Sequence, residues 1–106
     1  MPVSDVRVCS ISDVKPGDAA RFDVDGHLLC VVNIDNQFSV IGDTCSHADY
    51  SLAEGEVWED EREIECPKHG STFSLDTGEP QSLPATRPVP VYAVRVDGDD
   101  VIVILA

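Results

Sequence analysis

Paired turn residues recur at short intervals along this 106-residue chain, and they constrain its fold more than any other feature. Asp25-Gly26, Asp35-Asn36 and Asp97-Gly98 each fall between runs rich in Val, Ile and Leu: RFDV and HLLCVVNI, VVNI and QFSVIG, VYAVRV and VIVIL. Asp-Gly and Asp-Asn tolerate the positive φ that tight hairpins demand, so three hairpins are predicted. Further strands are expected at Val6–Ile11, Val57–Trp58, Glu63–Glu65, Thr72–Leu75 and Glu79–Ser82. No window of a dozen residues keeps helical spacing without a Gly or Pro break. The reading is all-β: antiparallel strands in a small sandwich or barrel, forming one domain over 1–106.

Two segments depart from the strand pattern. QSLPATRPVPVY carries Pro84, Pro88 and Pro90, which remove ladder donors, so it should cross the surface as a stiff extended loop. AEGEVWEDEREIEC reads as a further hairpin with EDE at its tip.

Charge excludes some functions. Twenty acidic residues against seven basic ones give a formal net charge of −13. Such a surface repels phosphate backbones and anionic lipid, which argues against nucleic-acid or membrane binding. It suits a partner with a basic patch, and docking through such charge should weaken with salt; acidity serving solubility alone is the plainer alternative. The first residues lack a basic segment followed by an apolar run, and no stretch approaches the ~20 apolar residues of a membrane span. A cytoplasmic protein is therefore expected, with Cys9, Cys30, Cys45 and Cys66 as thiols or metal ligands rather than disulfides.

Chemistry concentrates in two short boxes, Cys45-Ser46-His47 and Cys66-Pro67-Lys68-His69-Gly70-Ser71. Each offers one thiol and one imidazole. Unrelated packing residues would account for one such pair better than for two in Gly/Pro-flanked loops. A Cys2His2 zinc site is chemically sound, although zinc sites usually group the cysteines apart from the histidines, and a C-x-H pair is tight for shared tetrahedral ligation. A two-iron centre is the third possibility. The remaining candidates have ordinary explanations: His27 as a solvent-facing turn residue, Cys9 and Cys30 as packed thiols, Trp58 and Tyr50 as packing around the boxes, Asp43 and Asp49 as turn or surface groups. No hydrolase triad, P-loop or zinc-protease motif is present.

The two boxes resemble the ligand loops of Rieske [2Fe–2S] proteins, in which two His replace two Cys on one iron. The resemblance implies a Rieske-like antiparallel β-sandwich with a small cluster-binding subdomain at about 43–84 and one [2Fe–2S] cluster. Cys45 and Cys66 would hold the buried iron and His47 and His69 the outer one. Two ferric ions, two sulfides and two thiolates sum to neutrality, whereas a four-thiolate cluster is a dianion. Reduction is therefore easier, at roughly −150 to +300 mV against about −400 mV for plant-type ferredoxins.

Respiratory members carry an additional cysteine in each box, joined as a disulfide; here those positions hold Tyr50 and Lys68. Ser71 matches a serine whose hydroxyl bonds a bridging sulfide, and Phe73 stands where the respiratory proteins have a Tyr donor to a ligand sulfur. Loss of that donor in a strongly acidic chain implies a potential toward the low end. The 18 residues (48–65) between His47 and Cys66 slightly exceed the spacing usual in ferredoxin-type members, in a hairpin where insertions cost little.

The likeness is to ferredoxin components of bacterial multicomponent oxygenases. It implies a one-electron carrier rather than an enzyme, receiving electrons from an NAD(P)H-dependent flavin reductase and delivering them to a terminal non-haem iron oxygenase. A Rieske-like accessory protein of iron–sulfur assembly or of a nitrite reductase is the alternative.

Overall fold

The computed structural model describes residues 4–46, 50–68, 70–83 and 85–105. Its strands are β1 (Ser4–Ser10), β2 (Ala19–Val24), β3 (His27–Ile34), β4 (Gln37–Gly42), β5 (Val57–Trp58), β6 (Glu63–Glu65), β7 (Thr72–Ser74), β8 (Val91–Asp97) and β9 (Asp100–Leu105). Six of them form an antiparallel sheet in the order β1-β9-β8-β4-β3-β2, and the other three form a small sheet in the order β5-β6-β7. The edge strands β1 and β2 come close together, so the large sheet curls around its own core.

The three hairpins lie where the turn residues predict. Asp25 and Gly26 have φ of 50° and 81°, and Asp35 and Asn36 have φ of 52° and 64°, the backbone that these residue types tolerate. The third turn sits one residue later than its Asp-Gly pair suggests: Asp97 pairs with Asp100, leaving Gly98 and Asp99 as the turn. β1 stops at Ser10 rather than Ile11, because Ser10 begins a capping box. Its hydroxyl accepts from the Ser12 amide while the Asp13 carboxylate accepts from the Ser10 amide, turning Ile11–Asp13 into a short 3-10 helix. Residues 79–82 do not form a strand: Pro80 makes an isolated bridge with Phe73, and the Thr72 and Glu79 amides that would extend it donate instead to the Ser82 and Thr77 hydroxyls.

β3 is the wall shared by two cores. Leu29 and Val31 point into the curled sheet with Cys9, Val14, Val40, Val101, Val103 and Leu105. Their neighbours Cys30, Val32 and Ile34 point outward into a second cluster containing Leu52, Ile64, Phe73 and Leu75. Successive side chains alternate between faces, so a strand covered on both faces must be apolar at nearly every position, which the run LLCVV is. The small sheet docks on this outer face.

Polar contacts fix the docking. Arg62, at φ 55° in the four-residue tip between Trp58 and Glu63, reaches Asp76 beyond β7 at 3.0 Å and the Ser39 hydroxyl of β4 at 3.2 Å. Among the described residues, no helix is long and apolar enough to cross a membrane.

Candidate metal centre

Each cysteine box is closed by the same backbone device. The Cys45 amide donates to the Tyr50 carbonyl at 2.9 Å, and the Cys66 amide donates to the Ser71 carbonyl at 2.7 Å, five residues on in both loops. The residues just outside also pair alike: Thr44 bridges Ser51, and Glu65 of β6 faces Thr72 of β7. The first loop leaves the end of β4 and the second joins β6 to β7, so both grow from the tips of antiparallel strands. Within the second, the Gly70 amide donates back to the Cys66 carbonyl at 3.0 Å, and Gly70 takes a φ of 76° that a side chain would resist.

This geometry buries the two thiols. Cys45 is 4% exposed and Cys66 1%, in the same apolar cluster as Leu52 and Phe73. Neither forms a disulfide, nor do Cys9 and Cys30. The next residues along, Ser46 and Pro67, are exposed, so each loop runs from a buried sulfur to the surface within one residue. His47 and His69 lie outside the described residues, as does Asp49. Among the described residues no three potential metal donors converge.

The donors fit a thiophilic centre. Two buried thiols on matching loops, neither in a disulfide, supply soft ligands, and each box carries an imidazole in its remaining residues. Cys9 and Cys30 differ in kind. Burial pushes the Cys9 thiol up to about 11, with the Asp13 carboxylate adding to the effect and Arg7 opposing it. Burial also pushes the Cys30 thiol up, with Asp43 nearby reinforcing it. Both behave as inert, protonated core residues, as expected.

Three groups support the loops, and the sequence pointed to Ser71 alone among them. Asp43 is a turn group but not a surface one: it is 1% exposed, and its carboxylate accepts the Ala53 amide at 3.0 Å while its carbonyl accepts that of Leu52 at 2.7 Å. It thereby locks the return arm of the first loop. Ser46 donates its hydroxyl to the Arg87 carbonyl at 2.6 Å. The buried Ser71 hydroxyl accepts the Ala85 amide at 3.0 Å, which leaves its own proton free to donate.

The Pro-rich segment therefore touches both loops. Its prolines at 88 and 90 are exposed, as a surface crossing requires, but Ala85 and Val89 turn inward to the thiol-bearing cluster. Gly78, at φ 76°, lies so close to this segment that a Cβ would strike the Val89 carbonyl oxygen, and the Val89 amide donates to the Gly78 carbonyl at 2.9 Å. Among the earlier expectations, Tyr50 and Trp58 remain about two-fifths exposed at the rim of this lobe. His27 is solvent-facing but begins β3 rather than lying in the turn, with its ring edge-on to Tyr92.

An antiparallel all-β domain with two matched, thiol-bearing loops at one end defines a small metalloprotein built to hold a sulfur-ligated centre. The Rieske [2Fe-2S] domain matches residues 4–93, and the chain belongs to that family, whose cofactor is a single Rieske-type [2Fe–2S] cluster. It is 38% identical to the ferredoxin component of biphenyl 2,3-dioxygenase from Rhodococcus jostii (strain RHA1), over 92% of this chain and 89% of the relative. The ferredoxin of carbazole 1,9a-dioxygenase from Nocardioides aromaticivorans IC177 superposes with a TM-score of 0.90 at 40% identity, covering 94% of this chain and 96% of that one. A chain in a complex of reduced oxygenase and oxidised ferredoxin of carbazole 1,9a-dioxygenase aligns with a TM-score of 0.84 at 40% identity, covering 93% of this chain and 91% of that one.

Proposed function

We propose that the protein is the ferredoxin of a multicomponent aromatic-ring dioxygenase, taking single electrons from an NAD(P)H-dependent flavin reductase and delivering them to a terminal non-haem iron oxygenase. Cys45 and Cys66 hold the inner iron of the cluster, and His47 and His69 hold the outer one. The lobe at about 43–84 acts as the cluster-binding subdomain, with Ala85 and Val89 completing its floor. The cluster, when bound, supplies a one-electron redox centre.

The observation that carries this reading is the matched closure of the two loops, which buries one thiol in each and brings the chain to the surface immediately afterwards. That polarity gives a centre a sulfur-ligated inner side and an outer side at the protein's edge, where an electron can leave. The relatives named as dioxygenase ferredoxins, one of them in complex with its oxygenase, support the delivery role. The acidic surface suits docking to a basic partner.

The test is reconstitution followed by replacement of one outer donor. Wild-type protein loaded with iron and sulfide should give the visible and paramagnetic signature of mixed Cys/His ligation after reduction. His69→Cys should shift that signature toward the four-thiolate type or abolish assembly. An unchanged spectrum in the variant would remove His69 from the ligand set, and a colourless wild type would overturn the proposal.

A further inference from the structure

The Lys68 ammonium lies over the face of the Tyr50 ring, 5.3 Å from its centroid. Within about 6 Å, the negative face of an aromatic ring attracts a cation. The partners come from different cysteine loops. Tyr50 supplies the carbonyl that closes the first loop on Cys45, and Lys68 stands two residues after Cys66 in the second. Pro67 restricts the intervening backbone and so helps set the direction of Lys68. Among the described residues, Lys68 makes no ion pair with a carboxylate that would draw its ammonium away from the ring.

We propose that Tyr50 and Lys68 form a non-covalent bridge between the two loops, acting as positioning residues that hold Cys45 and Cys66 at the spacing one shared centre requires. The proposal rests on the reading of these loops as the cluster-holding pair. The two positions are those at which respiratory relatives place their loop-to-loop disulfide, so the same span is joined here by a contact that needs no oxidant. The bridge also keeps a positive charge beside the loops of a chain whose net charge is −13. It should therefore favour the reduced, more negative state of whatever the loops hold. Tyr50 is 41% exposed and Lys68 is also exposed, so water and salt compete with the contact and its strength belongs at the modest end of the range.

The bridge predicts coupling between the two side chains, measurable in the cluster-loaded protein. Lys68→Met and Tyr50→Leu should each speed loss of the visible cluster signal into a chelator about two- to five-fold, the scale of an exposed cation–π contact. The Y50L/K68M double variant should lose it no faster than the faster single variant. Lys68→Arg and Tyr50→Phe, which keep the cation and the ring, should behave as wild type. Lys68→Met should lower the reduction potential, and by less in the Y50L background, where the ammonium is no longer held in place.

Additive effects of K68M and Y50L on both readouts would overturn the bridge. So would a Y50F variant that behaves like Y50L, since the ring face would then not be the relevant group. If Y50L fails to assemble, Y50F, K68R and K68M still decide: rapid loss in K68R would refute the proposal. A wild-type chain that holds no iron and sulfide would refute the ligand reading itself. A loaded wild type with uncoupled residues would refute only the bridge.

Discussion

The Ser46 hydroxyl donates to the Arg87 carbonyl at 2.6 Å, fastening the first cysteine loop to the Pro-rich segment across 41 residues of sequence. The second loop is fastened to the same segment through Ser71 and the Ala85 amide. One stretch of chain with few ladder donors of its own thus braces both halves of the site, through hydrogen bonds its prolines do not have to supply.

Removing the first fastening should loosen the segment without unfolding the domain. Ser46→Ala is expected to lower stability by about 0.5–1.5 kcal/mol, the net worth of one such bond, toward the lower value because Ser46 is exposed. Amide exchange at Ala85 and Val89 should quicken while the amides of β3 and β9 keep their protection. Thermal unfolding and exchange measured on the same variant check this, and unchanged exchange at Ala85 would show that the segment is held by other contacts.

Phe73 is fully buried in the cluster that contains both thiols, and it brings no donor to them. If Cys45 and Cys66 are thiolate ligands, Phe73→Tyr adds a hydroxyl that stabilises the reduced state wherever it reaches a ligand sulfur. One net hydrogen bond of about 0.5–1.5 kcal/mol corresponds to a rise of roughly 20–60 mV for a one-electron couple. The added oxygen must fit a closed core, so some loss of stability, about 1–3 kcal/mol, should accompany it. Voltammetry alongside thermal unfolding separates the two effects, and a stable variant with a lowered potential would contradict the donor argument.

The buried Cys9 thiol predicts a weakening in alkali. Its folded pKa of about 11 exceeds the ordinary thiol value of 9.0, so the folded state retains a proton that the unfolded chain releases. Stability is unaffected by this group below pH 9 and falls as pH rises from about 9 to 11, at up to roughly 1.4 kcal/mol per pH unit. Cys30 acts in the same direction. Cys9→Ala should flatten the decline without abolishing it, as denaturant titrations at pH 8, 9.5 and 10.5 would reveal. An equal slope in wild type and variant would mean that Cys9 does not titrate with folding.

Local chemistry made much of the architecture readable. Asp25-Gly26 and Asp35-Asn36 mark hairpins because few residues accept positive φ, and the apolar run of β3 marks a strand covered on both faces because side chains alternate. The boxes at 45–47 and 66–69 were legible because donor type and spacing are properties of a few adjacent residues. Where reading failed, side chains had taken up backbone groups that a strand or turn leaves to other partners. The Ser10–Asp13 capping box ends β1 early, and the Ser82 and Thr77 hydroxyls occupy the amides that would have extended residues 79–82 along β7. Asp43 looked like any acidic turn residue until the return arm of its own loop folded across it and took up its oxygens.

By itself, then, the sequence determined an antiparallel all-β chain with its hairpins, and a choice of two thiols and two imidazoles split evenly between two loops. Those features follow from backbone preferences and side-chain chemistry over short stretches. Only the tertiary structure decided the strand order, the two-faced role of β3, the burial of Asp43, the bracing of both loops by one Pro-rich segment and the meeting of Tyr50 with Lys68. Each of these joins residues far apart in the chain, where no local preference operates and the packing of the whole domain selects which weak contacts can form together.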